Sequence, residues 1–151
     1  MDTLGSLVDK ITIAQQRSKY INDDAVKFEL ETQVGWMLLE IAHIIIDGFA
    51  GNRPLTFKKN KLYDTDVKDF TEPNLIELMN ALKTQNEKLW NLEDIRRNRS
   101  MLDEVRLEAC DDVSIENKKR NDLIDKIDAH VDRCIKLAAL SNLEVVNENP
   151  R

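Results

Sequence analysis

The chain has little that would punctuate it. Its 151 residues include 4 Gly and 3 Pro, and aromatic residues make up 5%. Glycine and proline break periodic structure, so their scarcity argues against many short strands and tight turns. It favours a few long helices. Only two cysteines occur, Cys110 and Cys134. Their spacing makes no metal site, and a reduced intracellular state is the default expectation. No glycine-rich phosphate loop exists, and no Ser or Cys stands in a turn beside a His, so nucleophilic catalysis is not supported. The start, MDTLGSLVDK, lacks a basic region followed by an apolar stretch, and no signal peptide is expected. The most apolar run, 34–50, contains Glu40, His43 and Asp47 and is too short and too charged to span a bilayer. The expectation is a soluble cytoplasmic protein without a membrane partner.

Positive charge is also short. The net charge is −6 and the pI is about 5.0, which argues against sequence-independent nucleic-acid binding. Basic runs at Lys58–Lys61, Arg96–Arg99 and Lys118–Arg120 read as solvated faces. What is present is a globular balance, 42% hydrophobic and 33% charged, in a length suited to one domain.

The periodicity predicts an all-α, four-helix bundle over 1–141, with a flexible tail at 142–151. Helix 1 is expected from Asp2 or Thr3 to Tyr20, with Leu4, Leu7, Val8, Ile11, Ala14 and Ser18 on one stripe and Gln15 also on it. Asp23 or Asp24 is positioned to cap helix 2, Ala25 to Asp47, with Gly48 as its C-cap. Helix 2 is apolar over most of its circumference from Val34 to Ile46, the pattern of a central, buried helix. Residues 49–70 read as a long irregular insertion between helices 2 and 3, with room for a hairpin at Leu55–Lys61 and Leu62–Val67. Helix 3 is expected from Thr71, with Pro73 in its first turn, to Asn98. Helix 4 is expected from Val113 to Leu140. Residues 100–112 form either a loop, a side helix or an extension of helix 4. Leu7-Val8-Asp9-Lys10-Ile11 echoes Leu123-Ile124-Asp125-Lys126-Ile127, too short an echo to establish a repeat.

Two segments, NEKLWNLEDIRR at 86–97 and NKKRNDLIDKID at 117–128, put polar groups on the stripe where an amphipathic helix keeps apolar ones. A buried unpaired polar group costs roughly 1–3 kcal/mol, so these groups need partners. On helix 3 the stripe is Leu75, Met79, Leu82, Asn86, Leu89, Glu93 and Arg97. On helix 4 it is Val113, Asn117, Arg120, Ile124, Ile127, Val131, Ile135 and Ala138. If 100–112 is a loop, antiparallel pairing brings Glu93 to Asn117, and Trp90 to Arg120 and Asn121. If helix 4 starts near Met101, the register slips and Glu93 meets Val105 instead. The first case makes a pocket of Asn86, Trp90, Glu93, Asp94, Arg97, Arg120, Asn121 and Asp125, suited to a small anionic ligand. The competing reading is a self-satisfied network.

These segments resemble an uncharacterised family of mostly bacterial helical proteins with LIDKLSI, N-x-x-LW-x-x-ED-x-x-R and N-x-x-RNDLI-x-x-ID motifs. The matching residues are Leu7-Val8-Asp9-Lys10-Ile11-Thr12-Ile13; then Asn86, Leu89-Trp90, Glu93-Asp94 and Arg97; then Asn117, Arg120-Asn121-Asp122-Leu123-Ile124 and Ile127-Asp128. The resemblance covers about half the chain and implies an all-helical cytosolic protein with no established activity.

Other chemistry is thinly represented. Glu40 and His43 form one E-x-x-H pair, whereas a di-iron bundle needs two with further glutamates. The stretch LLEIAHIIIDGFAGN is loosely similar to magnesium-dependent nucleotide pyrophosphohydrolases, but His43 stands where an oxygen ligand belongs. The leading expectation is therefore a non-catalytic binding or assembly module without a cofactor, associating with itself or a protein partner. The excess apolar surface of helix 2 motivates the self-association. Two alternatives stand beside it. One is a divalent-metal enzyme, with magnesium as cofactor, acting on a nucleotide or phosphorylated small molecule. The other is a small phage-type inhibitor of a host protein.

Overall fold

The computed structural model describes residues 2–51 and 74–147, with side chains through Ala138. The fold is an all-α, four-helix bundle: α1 Leu4–Tyr20, α2 Asp24–Phe49, α3 Leu75–Arg97 and α4 Asp103–Asn147. Most of the expected insertion, and both arms of the hairpin considered within it, lie outside the described residues. No helix among those described is long and apolar enough to cross a membrane.

Local chemistry sets the helix starts. Thr3 caps α1: its Oγ1 accepts from the Ser6 N–H at 3.2 Å, and the Ser6 Oγ accepts from the Thr3 N–H at 3.1 Å. Asp23 caps α2, accepting from the Ala25 and Val26 N–H groups. Asn74 and Glu77 form the same reciprocal box on α3, so α3 is capped by Asn74 and runs from Leu75; the expected start at Thr71 lies outside the described residues. These caps satisfy N–H groups that have no partner within the helix. α2 runs through Gly48 and ends at Phe49. The left-handed residue is Gly51, at φ 71°, whose N–H donates to the Gly48 carbonyl at 3.1 Å. Glycine takes that conformation without Cβ strain. Gly48 is therefore not the cap.

Two further expectations are corrected. α4 does not begin at Val113: it starts at Asp103 and continues past Leu140 to Asn147 without a break. Its only connection to α3 is a tight turn in which Asn98 Oδ1 accepts from the N–H and Oγ of Ser100 at 3.1 and 2.7 Å. Residues 101–112 carry no Pro or Gly to stop a helix, and propensity carries the extension through.

The second correction concerns the centre. α2 is not buried; of its 26 residues only Ile44 is. α1 touches all three others, and so does α4, whose contact with α2 is slight. Leu4, Leu7, Val8, Ile11 and Ala14 supply its buried apolar stripe, and Gly5, Asp9, Thr12 and Gln16 supply a second buried stripe beside it. The apolar core joins Leu4 and Val8 to Leu78 and Leu82 of α3 and to Ile124, Ile127, Val131 and Ile135 of α4. Ile41 and Ile45 of α2 pack on it from one side.

At Gly5, α1 and α4 are in close contact. A Cβ there would overlap the Ile124 carbonyl oxygen, a backbone atom that cannot swing away, and would sit 3.1 Å from Asp128 Oδ1. The Gly5 N–H donates to Asp128 Oδ1 at 2.6 Å. A carboxylate from α4 thus meets the N-terminal turn of α1, where the helix dipole favours negative charge.

Candidate functional site

The register of α3 against α4 decides what the polar segments do. Gln85 Nε2 donates to Glu116 Oε2 at 2.7 Å and to the Glu116 carbonyl at 2.9 Å. Arg106 Nε donates to the Arg96 carbonyl at 3.2 Å. These bonds place Glu93 level with Ala109, not with Asn117. The continuous α4 moves the two polar segments about two turns out of alignment. They do not converge as one pocket at the end of the pair.

Instead the eight candidate residues disperse. Asn86 is buried on α3, where its Nδ2 donates to Asp9 Oδ1 at 2.9 Å and to Thr12 Oγ1 at 2.8 Å. Arg120 reaches the same carboxylate, with Nε 3.6 Å from Asp9 Oδ1. Trp90 stacks on Tyr20, ring centroids 6.0 Å apart and planes 8° from parallel. Glu93 serves its own helix, accepting from Arg96 at 2.6 Å and pairing with Arg97 at 3.3 Å. Asp94 and Asn121 are exposed, and Asp125 is half-buried.

Glu93 and Arg97 pair within α3; Asn86 and Arg120 converge from different helices, and the group they meet is Asp9. Asp9, Thr12, Asn86 and Arg120 form a buried centre drawn from three helices. Thr12 Oγ1 also donates to the Asp9 carbonyl at 2.8 Å, so the hydroxyl and both amide hydrogens are occupied. The Arg120 Nε has no hydrogen-bond partner within bonding distance, and its attraction to Asp9 is purely ionic at 3.6 Å. These groups answer one another across α1, α3 and α4, which is the behaviour of a network that holds helix register.

A second polar cluster lies one turn along. Glu116 is buried, and its Oε1 accepts from Lys88 and Lys119 at 2.8 Å each. With Gln85 on its other oxygen, this carboxyl is held well below the usual carboxylate range, at about 2. The Lys119 hydrogen bond lowers it most, then those of Lys88 and Gln85; burial opposes them. Glu116 ties α3 to α4.

Sequence reasoning missed Asp9, Thr12, Gln16 and Glu116. The signal for the first three was present: Gly5, Asp9, Thr12 and Gln16 recur four, three and four apart, a helical stripe beside the apolar one. Gln15, placed on the apolar stripe, is exposed. Glu40 and His43 are also exposed, on α2. Among the described residues no group of three or more His, Cys, Asp or Glu stands close enough to hold a metal ion.

No family model, no curated protein sequence and no solved structure matches this chain. The resemblance to the uncharacterised helical family rests on the motif residues alone.

Proposed function

We propose that this protein is a non-catalytic assembly module that pairs with a second copy of itself through the outer face of α2. The observation that carries the reading is what α2 leaves uncovered. Phe28 is 72% exposed, Trp36 69%, Ile46 61%, and Leu39 and Phe49 54% each. Scattered exposed apolar residues are ordinary, but these are ordered. Phe28, Gly35, Leu39, Ala42, Ile46 and Phe49, with Thr32, follow one three-and-four spacing along the side turned away from α1. That is the seam of a coiled coil.

The size of this face fits a copy. Fully buried aromatics contribute roughly 150–250 Å² each. The exposed fractions of Phe28, Trp36, Phe49 and the neighbouring Leu38, Leu39 and Ile46 then amount to roughly 700 Å². A stable interface buries about 800 Å² per partner, and a typical monomer's largest apolar patch is about 300–600 Å². The face is also self-complementary. In an antiparallel pairing, Gly35 of one copy lies against Leu39 of the other, Ala42 against Thr32 and Phe28 against Ile46, so the glycine makes room for a leucine and the apolar ends meet each other.

Gly35 adds an independent argument. A glycine inside a helix costs about 1 kcal/mol relative to Ala, and a Cβ at Gly35 would meet nothing within 4 Å. Nothing among the described residues requires it, whereas a helix docking from outside does. In this reading the centre of Asp9, Thr12, Asn86 and Arg120 keeps the supporting helices in register rather than binding a ligand.

The test is the mass in solution. Light scattering at tens of micromolar should return twice the 17.5 kDa of one chain, and Leu39→Asp or Ile46→Asp should return one chain with its helicity kept. A single-chain mass for the unaltered protein would sink the reading.

A further inference from the structure

At the turn joining α3 to α4, Arg96, Arg97, Arg99, Asp103, Arg106, Leu107 and Cys110 line a cleft of about 720 Å³. We infer that this cleft is a binding site for an oligophosphate group, carried either by inorganic polyphosphate or by a nucleotide. It is independent of the α2 face.

Four guanidinium groups gather here in a chain whose net charge is −6. Glu93 pairs with Arg96 and Arg97, and Asp103 pairs with Arg106 at 3.0 Å. Those two carboxylates leave a local excess of positive charge. Arg96 and Arg97 are explained in part by the C-terminus of α3, whose dipole favours cations. That explanation does not extend to the other two. Arg106 stands in the first turn of α4, where the dipole disfavours a cation, and it crosses to the Arg96 carbonyl, which holds its guanidinium over the cleft. Arg99 lies beyond the end of α3 and has no hydrogen bond or ion pair among the described residues.

The ligand class follows from geometry and charge. Guanidinium groups present planar forks that match phosphate oxygens two at a time. The cleft volume is within the range of small-molecule sites, about 300–1,000 Å³, so one phosphate leaves most of it empty. Cations contributed from both helices and from the turn suit two or three linked phosphates. The cleft has no aromatic lining, so recognition rests on the phosphates.

The experiment titrates the full chain with tripolyphosphate and, separately, with ATP at low ionic strength. Cys110, exposed and with a free thiol, provides a second readout in a Cys134→Ser background. Tripolyphosphate should slow its reaction with a dianionic disulfide reagent. Both polyphosphates should bind, and binding should weaken steeply as salt rises. Arg99→Gln, which removes no contact within the fold, should weaken binding about tenfold, the scale of one charge-assisted contact. Lys83→Gln, an exposed cation elsewhere on α3, should change nothing. Equal affinity for both probes assigns recognition to the phosphates, and tighter ATP binding adds the nucleoside as the physiological source. Absence of binding at low salt, or undiminished binding to Arg99→Gln, overturns the site. Neither result bears on self-association.

Discussion

Replacing Gly35 by Ala separates the single chain from the assembly, because the two should respond with opposite signs. In the isolated chain the added methyl meets nothing within 4 Å among the described residues. It brings only helix propensity, so the monomer should gain about 0.8–1 kcal/mol. In a pair of α2 helices the same methyl lies between the backbones, against Leu39 of the second copy, and is present twice. Overpacking a tight contact costs about 1–3 kcal/mol. At 1.4 kcal/mol per factor of ten, each of the two methyls should weaken association roughly fivefold to a hundredfold. Sedimentation across a concentration series measures the dissociation constant. Urea unfolding at a dilution where the chain is single measures the monomer. A more stable monomer with weaker association is the expected pair of results. Association that is unchanged or tighter in Gly35→Ala would refute the argument that the glycine serves a neighbouring helix.

Gly5→Ala should act in the opposite sense on the single chain, since its Cβ overlaps the Ile124 carbonyl; α1 must move off α4, and a loss of about 1–3 kcal/mol is expected in urea melts. Glu116→Gln should destabilise the α3–α4 pair by about 1–2 kcal/mol, as expected for hydrogen bonds to a charged group whose lysine partners remain in solvent. The same carboxyl makes stability depend on pH. Its folded pKa, about 2, lies below the ordinary 4.5, so its contribution is complete above about pH 4.5 and is lost as pH falls towards 2. The acid-unfolding profile of Glu116→Gln should be flatter across that window. Asn86→Ala strips a buried carboxylate and hydroxyl of a donor, and thermal unfolding should report a loss of about 1–3 kcal/mol with no change in tripolyphosphate affinity.

Helix identity and the starts of α1 and α2 were legible because they are local. Thr3 and Asp23 cap through groups three residues away or fewer, and the apolar stripes of α1 and α4 recur at a spacing independent of the rest of the chain. The candidate site was only partly legible. Asn86 and Arg120 stood out as polar residues on apolar stripes, and both are indeed engaged. Their common partner, Asp9, lies 77 positions from Asn86 along the chain, and no local pattern names such a partner. Glu93 and Arg97 stood on the same stripe as Asn86, with Trp90 at its edge, yet Trp90 stacks on Tyr20 and the other two pair along α3.

What the sequence by itself determined was a set of long helices, the starts of the first two and which residues share a face. Those follow from backbone hydrogen bonding and side-chain spacing within a few residues. What only the tertiary structure decided was which face turns inward. α2 is apolar on both sides, so its composition does not choose between the centre and the surface. α1 takes the centre because its polar stripe finds Asn86, Arg120 and Asp128 waiting on α3 and α4, and it presents its other side to α2. The unbroken run of α4 from Asp103 then sets the register. That register, through bonds between residues distant in sequence, puts Glu116 rather than Asn117 against α3 and gathers the arginines at the turn.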